Sequence, residues 1–379
     1  MKVCQISTVQ TRHHIRIFYR MSRSLVRTGY EVVVICADDL PDEVSDGVTI
    51  KSIGPAPRNR IERMIHGNAV FSAALNEDAD VYQVNAPENL PVALKLKRCG
   101  KRVIFDSHED HPANIAGKSW IPFGFGKLIA LLYGMYEKMV VSRLDATFAP
   151  AAYVVDRLRD INPNAYLVTN YPIIEDELSN CSADRAPVVC FVGNATRDDN
   201  HMAVIEALTK VKGLQYRMVV WEENSHTEEL RYFSKRLAVD DRVEILPRMN
   251  QSQLREIQSA AIAGVITRRY LPNYGFRRGS EGIVKFYEYL ASGLPVVCTD
   301  YEIWREIVAK YDCGICVNPD SVRDIVDALS YLVANPDRVQ QMGVNARRAA
   351  VERYNWTTQE EVYLNAFSKL LYESGAKRS

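Results

Sequence analysis

Short runs of Val, Ile and other apolar residues recur along the chain, separated by segments of helical length, and they do so in two successive series. The first series predicts strands at 2–6, 31–36, 48–53, 80–84, 102–106 and 145–149, with helices near 15–28, 60–76, 88–98, 124–142 and 151–159. The second predicts strands at 188–192, 215–221, 242–246, 262–266, 294–298 and 314–317, with helices near 200–211, 226–237, 251–259, 281–291 and 302–309. A strand that is apolar at every position has no solvent face, so it belongs in a parallel sheet covered by helices on both sides. The expected fold class is therefore α/β, with two Rossmann-like, doubly wound parallel-sheet domains facing a cleft. Residues 171–187 are rich in Pro, Ser, Asn and acidic side chains and carry no periodicity, which reads as a linker. Helical patterns at 321–334, 336–350 and 357–374 close the chain. The expected domains are 1–170 and 188–355, with 356–379 as a final helix packing back on the first. Open α/β sheets bind ligands at the carboxyl ends of their strands, but architecture alone names no reaction.

Composition narrows the classes that remain. At 379 residues and 43.0 kDa the chain is long enough for two cores. Lys+Arg and Asp+Glu are equal at 47 each, so no overall charge draws the molecule to nucleic acid. The eight cysteines are scattered, several within strand-like runs, as buried reduced thiols are. Cys313 and Cys316 form a lone CxxC without the second pair a zinc ribbon needs. The first residues read directly into a strand without a signal-peptide layout. The longest apolar run, Leu128 to Tyr136, falls short of the roughly 20 residues that span a bilayer. The expectation is a cytoplasmic protein, with peripheral contact to the inner face of the plasma membrane left open.

The most informative stretch is Gly279-Ser-Glu-Gly-Ile-Val-Lys-Phe-Tyr-Glu-Tyr-Leu-Ala-Ser-Gly-Leu-Pro-Val-Val. A helix beginning near Glu281 would carry Glu281, Lys285 and Glu288 on one face and turn Phe286, Leu290 and Leu294 inward. The glycine-bearing turn before it would leave the amides of Gly282, Ile283 and Val284 free for a diphosphate at the positive end of the helix dipole. A carboxylate at 288 can accept two hydrogen bonds from the vicinal hydroxyls of a ribose. An exposed Glu281–Lys285 ion pair with a solvated Glu288 explains the same spacing, and the residues alone leave both readings standing.

From Lys285 to Val297 the chain matches "K-F-x-E-Y-L-A-x-G-x-P-V-V", which resembles the donor-binding motif of retaining GT-B glycosyltransferases of family 4. The resemblance implies that Glu288 holds the nucleotide ribose. It also implies a carboxylate on the donor sugar eight residues earlier, where this chain has Ser280, with Glu281 one residue out of register as the candidate. Val188-Val-Cys-Phe-Val-Gly-Asn-Ala-Thr-Arg resembles the loop that approaches the donor phosphates. That assigns Gly193 to close backbone approach, Asn194 to the donor and Arg197 to the leaving diphosphate, with Asp199 standing where a second cation is usual. Arg242-Val-Glu-Ile-Leu-Pro-Arg-Met resembles the segment beside the base, with Arg248 and Met249 as its contacts. Arg102-Val-Ile-Phe-Asp-Ser-His-Glu-Asp-His-Pro resembles the family's "D-x-H-E" turn, so that His108 lies beside the transferred sugar and Glu109 at the same rim. A purely structural His108 capping the turn is the alternative. The cluster of Asp106, His108, Glu109, Asp110 and His111 lacks the spacing of a metal site, and no metal is expected.

The opening Thr11-Arg-His-His-Ile-Arg-Ile-Phe resembles the first helix of a subgroup of these enzymes, with Thr11 and Arg16 as acceptor-side candidates. On a helical wheel Ile15, Phe18, Met21, Leu25 and Val26 share one arc and Arg16, Arg20, Arg23 and Arg27 another. The arginine arc is either a solvated face or a contact for anionic headgroups or an acceptor diphosphate. Trp120-Ile-Pro-Phe-Gly-Phe-Gly-Lys is either core or an interfacial segment.

The resemblance implies transfer of a sugar, with retention, from a UDP- or GDP-type donor to an acceptor hydroxyl such as that of a lipid-linked glycan or cell-surface polysaccharide precursor. Arg197, Lys285 and the amides at 282–284 would stabilise the leaving diphosphate without a metal cofactor. Its departing oxygen would assist deprotonation of the acceptor. A nucleotide-sugar 2-epimerase of the same fold and a catalytically inactive nucleotide-sugar-binding subunit are the alternatives. A dinucleotide-dependent dehydrogenase is disfavoured because neither half has G-x-G-x-x-G after its first strand.

Overall fold

The computed structural model describes residues 1–57, 60–116, 125–174 and 185–372. The chain divides into two compact units, Met1–Asn170 with Trp356–Ser379, and Tyr171–Asn355.

The first unit is built on strands β1 (Lys2–Ser7), β2 (Glu31–Cys36), β3 (Glu43–Ser45), β4 (Val48–Ser52), β5 (Val81–Asn85), β6 (Arg102–Asp106), β7 (Ala146–Ala149) and β8 (Ala165–Leu167). They form one sheet in the order β3-β4-β2-β1-β5-β6-β7-β8, parallel except for the β3–β4 pair. Successive side chains of a strand point to opposite faces, and both faces here are apolar. Cys4, Ile6, Tyr82, Val84, Val103 and Phe105 meet helices α2 (Arg60–Asn76), α3 (Leu90–Arg98), α5 (Phe125–Val141) and α6 (Ala152–Arg159) on one side, with α4 (His111–Ala116) preceding α5. Val3, Val32, Val34, Val81, Ile104 and Phe148 pack on the other side against a π-helical segment, Ile15–Ser22, and α1 (Arg23–Arg27), which continues it. The short β3 and β8 and the six-residue α4 carry too little apolar pattern to be read from the sequence.

The first helix differs from expectation. Arg16 and Arg20 are buried, leaving only Arg23 and Arg27 toward the surface, where they meet Asp46 and Glu360. The four-arginine outer face is therefore not formed. Ile15, placed on the apolar arc, is exposed. Periodicity cannot foresee an inward arginine when its partner, Asp106, lies ninety residues further on.

The second unit holds β9 (Val188–Gly193), β10 (Gln215–Val220), β11 (Val243–Leu246), β12 (Ala263–Ile266), β13 (Val296–Thr299) and β14 (Gly314–Val317). Their order is β11-β10-β9-β12-β13-β14, all parallel. Helices α7 (His201–Leu208), α8 (Ser225–Arg236), α9 (Gln251–Ala260), α10 (Val284–Ala291), α11 (Glu302–Tyr311), α12 (Val322–Ala334) and α13 (Pro336–Glu352) cover it. One face packs Phe191, Met218 and Val265 against α7 and α12, and the other packs Cys190, Val296 and Cys298 against α10 and α11. Of the segment read as a linker, Tyr171 belongs to this core, its ring 4.6 Å from that of Tyr287, and residues 175–184 lie outside the described residues. The last helix, α14 (Trp356–Tyr372), returns to the first unit, where Tyr363 and Phe367 pack against Phe148.

The position of α10 is set by one aromatic ring. Tyr289 is buried against Gly264 of β12, and its hydroxyl accepts the Val192 N–H at 2.9 Å. A Cβ on residue 264 would lie 2.3 Å from the Tyr289 ring. Gly264→Ala is expected to push that ring aside and cost about 1–3 kcal/mol, read as a lower urea midpoint with an unchanged slope.

Candidate functional site

At the carboxyl edge of the second sheet, β9 ends on Gly193 with φ +138°, a conformation that favours glycine. A Cβ there would lie 2.6 Å from Cε of Lys285 and 3.2 Å from Nε1 of Trp221. Glycine thus lets a cation from α10 and an aromatic ring from the end of β10 close on the strand terminus. The Lys285 ammonium sits 3.9 Å from the centroid of Phe191 and makes no hydrogen bond among the described residues. Asp199 Oδ2 is 3.8 Å away. Burial pushes the Lys285 amine down to about 8, Asp199 working against that shift and Arg268 adding to it.

Asp199 is buried and accepts two parallel bonds from Arg268, Nε to Oδ1 at 2.8 Å and Nη2 to Oδ2 at 2.8 Å. Burial opposes its charge, but Lys285 and Arg268 hold its carboxyl well below the usual carboxylate range. Arg268 lies over the ring of Tyr274, 4.5 Å from its centroid. A carboxylate at 199 therefore does not leave the place without a second cation. It brings one from beyond the end of β12, and Arg268 and Lys285 share the same oxygen. The sequence did not single out Arg268, because nothing in its local pattern separates it from the neighbouring Arg269.

Arg197 lies on the exposed surface and pairs with Glu229 of α8. Helix α10 begins at Val284, not near Glu281, with Ile283 as an N-cap that offers no side-chain acceptor. The turn before it is closed locally: the Gly282 N–H donates to Ser280 Oγ at 3.1 Å and the Ile283 N–H to the Ser280 carbonyl at 3.2 Å. Two of the three amides expected to be free are thus occupied, and the open ones are those of the first helical turn from Val284 onward. Glu281 precedes the helix and shares no helical face with Lys285, so the exposed Glu281–Lys285 pair is replaced by an inward Lys285 beside Asp199. Glu288 is three residues beyond Lys285 in α10, half-buried, and its charge acts on that amine. Phe286, stacked 4.8 Å from Trp304 with planes 5° apart, holds the helix on its buried side.

An apolar recess beside Gly193 is lined by Val192, Val219, Trp221, Arg248, Met249 and Leu254. Arg248 covers Trp221 with its guanidinium 4.8 Å from the ring centroid. Asn194 is exposed just past the strand. Trp221 is a member of this site that sequence reasoning missed, although an aromatic residue at a strand end was a visible signal.

In the first unit, Asp106 ends β6 and is gripped by Arg16 through two bonds of 2.7 Å, while the remaining Arg16 nitrogen donates to the Val168 carbonyl and to Asn170 Oδ1, each at 2.7 Å. His108 Nε2 is 3.2 Å from Asp106 Oδ2, and its ring stacks on His14 at 5.8 Å. Burial, with His108 and Arg16 adding to it, pushes His14 down to about 4. Burial resists the charge on Asp106, yet Arg16 and His108 keep its carboxyl well below the ordinary range. Arg16 is therefore spent on anchoring the Asp106–His108 turn. Thr11 and Glu109 are exposed nearby in sequence, each with its carbonyl in a local turn bond. Of Trp120–Lys127, residues 120–124 lie outside the described residues. Among the described residues no three His, Cys, Asp or Glu side chains are grouped to hold a metal ion.

Two doubly wound parallel sheets, each α/β, define the GT-B class. Sucrose-phosphate synthase from Thermosynechococcus elongatus superimposes with a TM-score of 0.74 at 16% identity, covering 100% of both chains. Anabaena HepE in complex with UDP-glucose gives 0.69 at 13%, covering 97% of this chain and 100% of that one. A family model described as Glycosyl transferases group 1 matches residues 175–349, and one described as Glycosyltransferase Family 4 matches residues 16–175. The chain belongs to the group 1, family 4 glycosyltransferases. The D-inositol 3-phosphate glycosyltransferase of Nocardia farcinica is 26% identical over 265 residues, 64% of this chain and 56% of that protein. The matched stretches span about half the length of such curated relatives.

Asp106 contributes stability above the unfolded carboxylate range, and that contribution is lost as pH falls through its lower folded value. Asp106→Asn is expected to cost about 3–5 kcal/mol at pH 7, since it leaves Arg16 buried and unpaired. The gap to wild type should narrow below about pH 4 in urea titrations.

Proposed function

We propose that the chain transfers a glycosyl unit from a nucleotide-diphosphate sugar to an acceptor hydroxyl, with retention. The observation that carries this reading is the Lys285 ammonium, buried, without a hydrogen-bond partner among the described residues, and set beside Arg268 where Gly193 opens the strand terminus. A cation held in place before the reaction, out of bulk water, is what a departing diphosphate requires. The open amides at the start of α10 add to it, and Arg197 approaches from the exposed side. Glu288 accepts from the ribose hydroxyls, and Trp221 with Arg248 and Met249 offers a flat wall for the base. Glu281 remains the candidate for the donor sugar.

Lys285 and Arg268 neutralise the leaving group without a metal ion in this proposal. The freed phosphate oxygen receives the acceptor proton, and His108, oriented by Asp106, hydrogen-bonds the transferred sugar. A UDP-type donor is favoured because HepE, which shares the fold, is solved with UDP-glucose. The acceptor is proposed as a lipid-linked glycan or polysaccharide precursor, reached from the inner face of the membrane, with Thr11 and Glu109 on its side and Arg16 acting only through the Asp106 it anchors. The inactive-subunit alternative loses part of its motive, because Asp199 recruits a cation in place of the one it displaces.

UDP and GDP binding by calorimetry tests this directly. Glu288→Ala should weaken the bound nucleotide by about 1–3 kcal/mol, and unchanged affinity would remove Glu288 from the ribose. Lys285 is charged below about pH 8 and neutral above it, and a diphosphate binds the charged form. UDP affinity should therefore fall as pH rises through 8. Lys285→Met should bind weakly and with a flat profile across that range.

A further inference from the structure

Helix α5 buries its small and polar side and exposes its large apolar one. Phe125, Leu128, Leu131, Leu132, Met135 and Met139 all face solvent, with Leu131 and Met135 more than 60% exposed. They recur at three- and four-residue steps and so form one continuous stripe along the helix. The side facing the sheet carries Ala130, Val140, Val141 and Glu137. A stripe of this extent on a soluble surface marks an interaction site.

The charges around the stripe choose the partner. The helix has a single carboxylate, Glu137, and it is turned inward to Arg157 and Tyr133. The exposed charged positions are Lys127 and Lys138, neither in an ion pair with another described residue. At the Met139 end the stripe runs into a groove of about 330 Å³ against α3, lined by Leu94, Lys97, Arg98 and Arg143, of which Lys97 is paired with Asp145. An apolar stripe flanked by exposed lysines, with Arg98 and Arg143 beside the one paired lysine of the groove, fits an anionic lipid surface. Self-association about a two-fold axis would set these cations against their own copies. No helix among the described residues is long and apolar enough to cross a membrane, so a bilayer contact through α5 would be interfacial.

We infer that α5 is the membrane-docking surface of this chain, inserting its Phe125–Met139 stripe among acyl chains while Lys127, Lys138 and the α3 groove engage anionic headgroups. The inference rests on the proposed reading only in taking the acceptor to be lipid-linked. It also moves the membrane contact away from the first helix, whose arginines are partly buried.

Flotation of the full chain with vesicles tests it. Binding is expected to an equal mixture of phosphatidylcholine and phosphatidylglycerol, to be far weaker to phosphatidylcholine alone, and to decline with added salt. Leu131→Glu with Met135→Glu should lower partitioning on the order of 100-fold. Lys127→Gln and Lys138→Gln should each lower it about fivefold on the anionic vesicles only. Circular dichroism and the thermal shift with UDP should be the same for the double glutamate variant as for wild type, since both positions are exposed. Absence of flotation, equal flotation of the double variant, or a dimer in sedimentation that the double variant dissolves would each overturn the inference. Loss of the UDP shift in wild type would instead count against the donor site and leave this surface untouched.

Discussion

A buried carboxylate with no solvent of its own, Asp199, organises the second unit's candidate site. Its two oxygens hold Arg268 in a bidentate pair and stand within Coulomb reach of Lys285. Removing such a charge from water is costly unless it is paired and hydrogen-bonded. Thr196 and Arg268 provide that pairing, and Lys285 is left close but without a hydrogen bond. The outcome is a concentrated positive potential at a strand terminus, with one amine still able to take a new acceptor.

That arrangement depends on how tightly α10 is held. Tyr289 under Gly264, Phe286 against Trp304 and Tyr287 against Tyr171 fill the inner side of the helix. Interiors are packed as closely as crystals, so a helix fixed by three aromatic rings has little freedom to rotate. Lys285 and Glu288 are then presented to the sheet edge by the same rigid element. Gly193 and Gly264 are the two places where a missing side chain permits this approach.

The first unit solves a similar problem with different residues. Arg16 meets Asp106 in a buried bidentate pair, and that pair sets the turn on which His108 sits. Its anion is the last residue of a strand, as Asp199 lies just past one, so in both units a carboxylate near a sheet's carboxyl edge fixes the geometry. Helix α5 shows the opposite economy of charge: its one acid is hidden and its cations are outside.

Strand and helix order was legible because apolar runs and amphipathic spacing are local properties, repeated strongly enough to survive without tertiary information. The segment from Lys285 to Val297 was legible as a motif for the same reason, since its contiguous residues form α10, the turn after it and the start of β13. Arg268 was not, because its importance comes from Asp199, which precedes it by 69 positions. The inward turn of Arg16 was hidden likewise, and a wheel that sorted arginines from apolar residues placed it outside. The start of α10 moved because Ser280 closes the turn with its hydroxyl and carbonyl, a choice decided by backbone hydrogen bonds. Sequence by itself determined the two parallel-sheet units and the identity of the helix that carries Lys285 and Glu288. Only the tertiary structure decided which charges are buried together, because pairing between distant residues depends on where the sheets bring their strand ends.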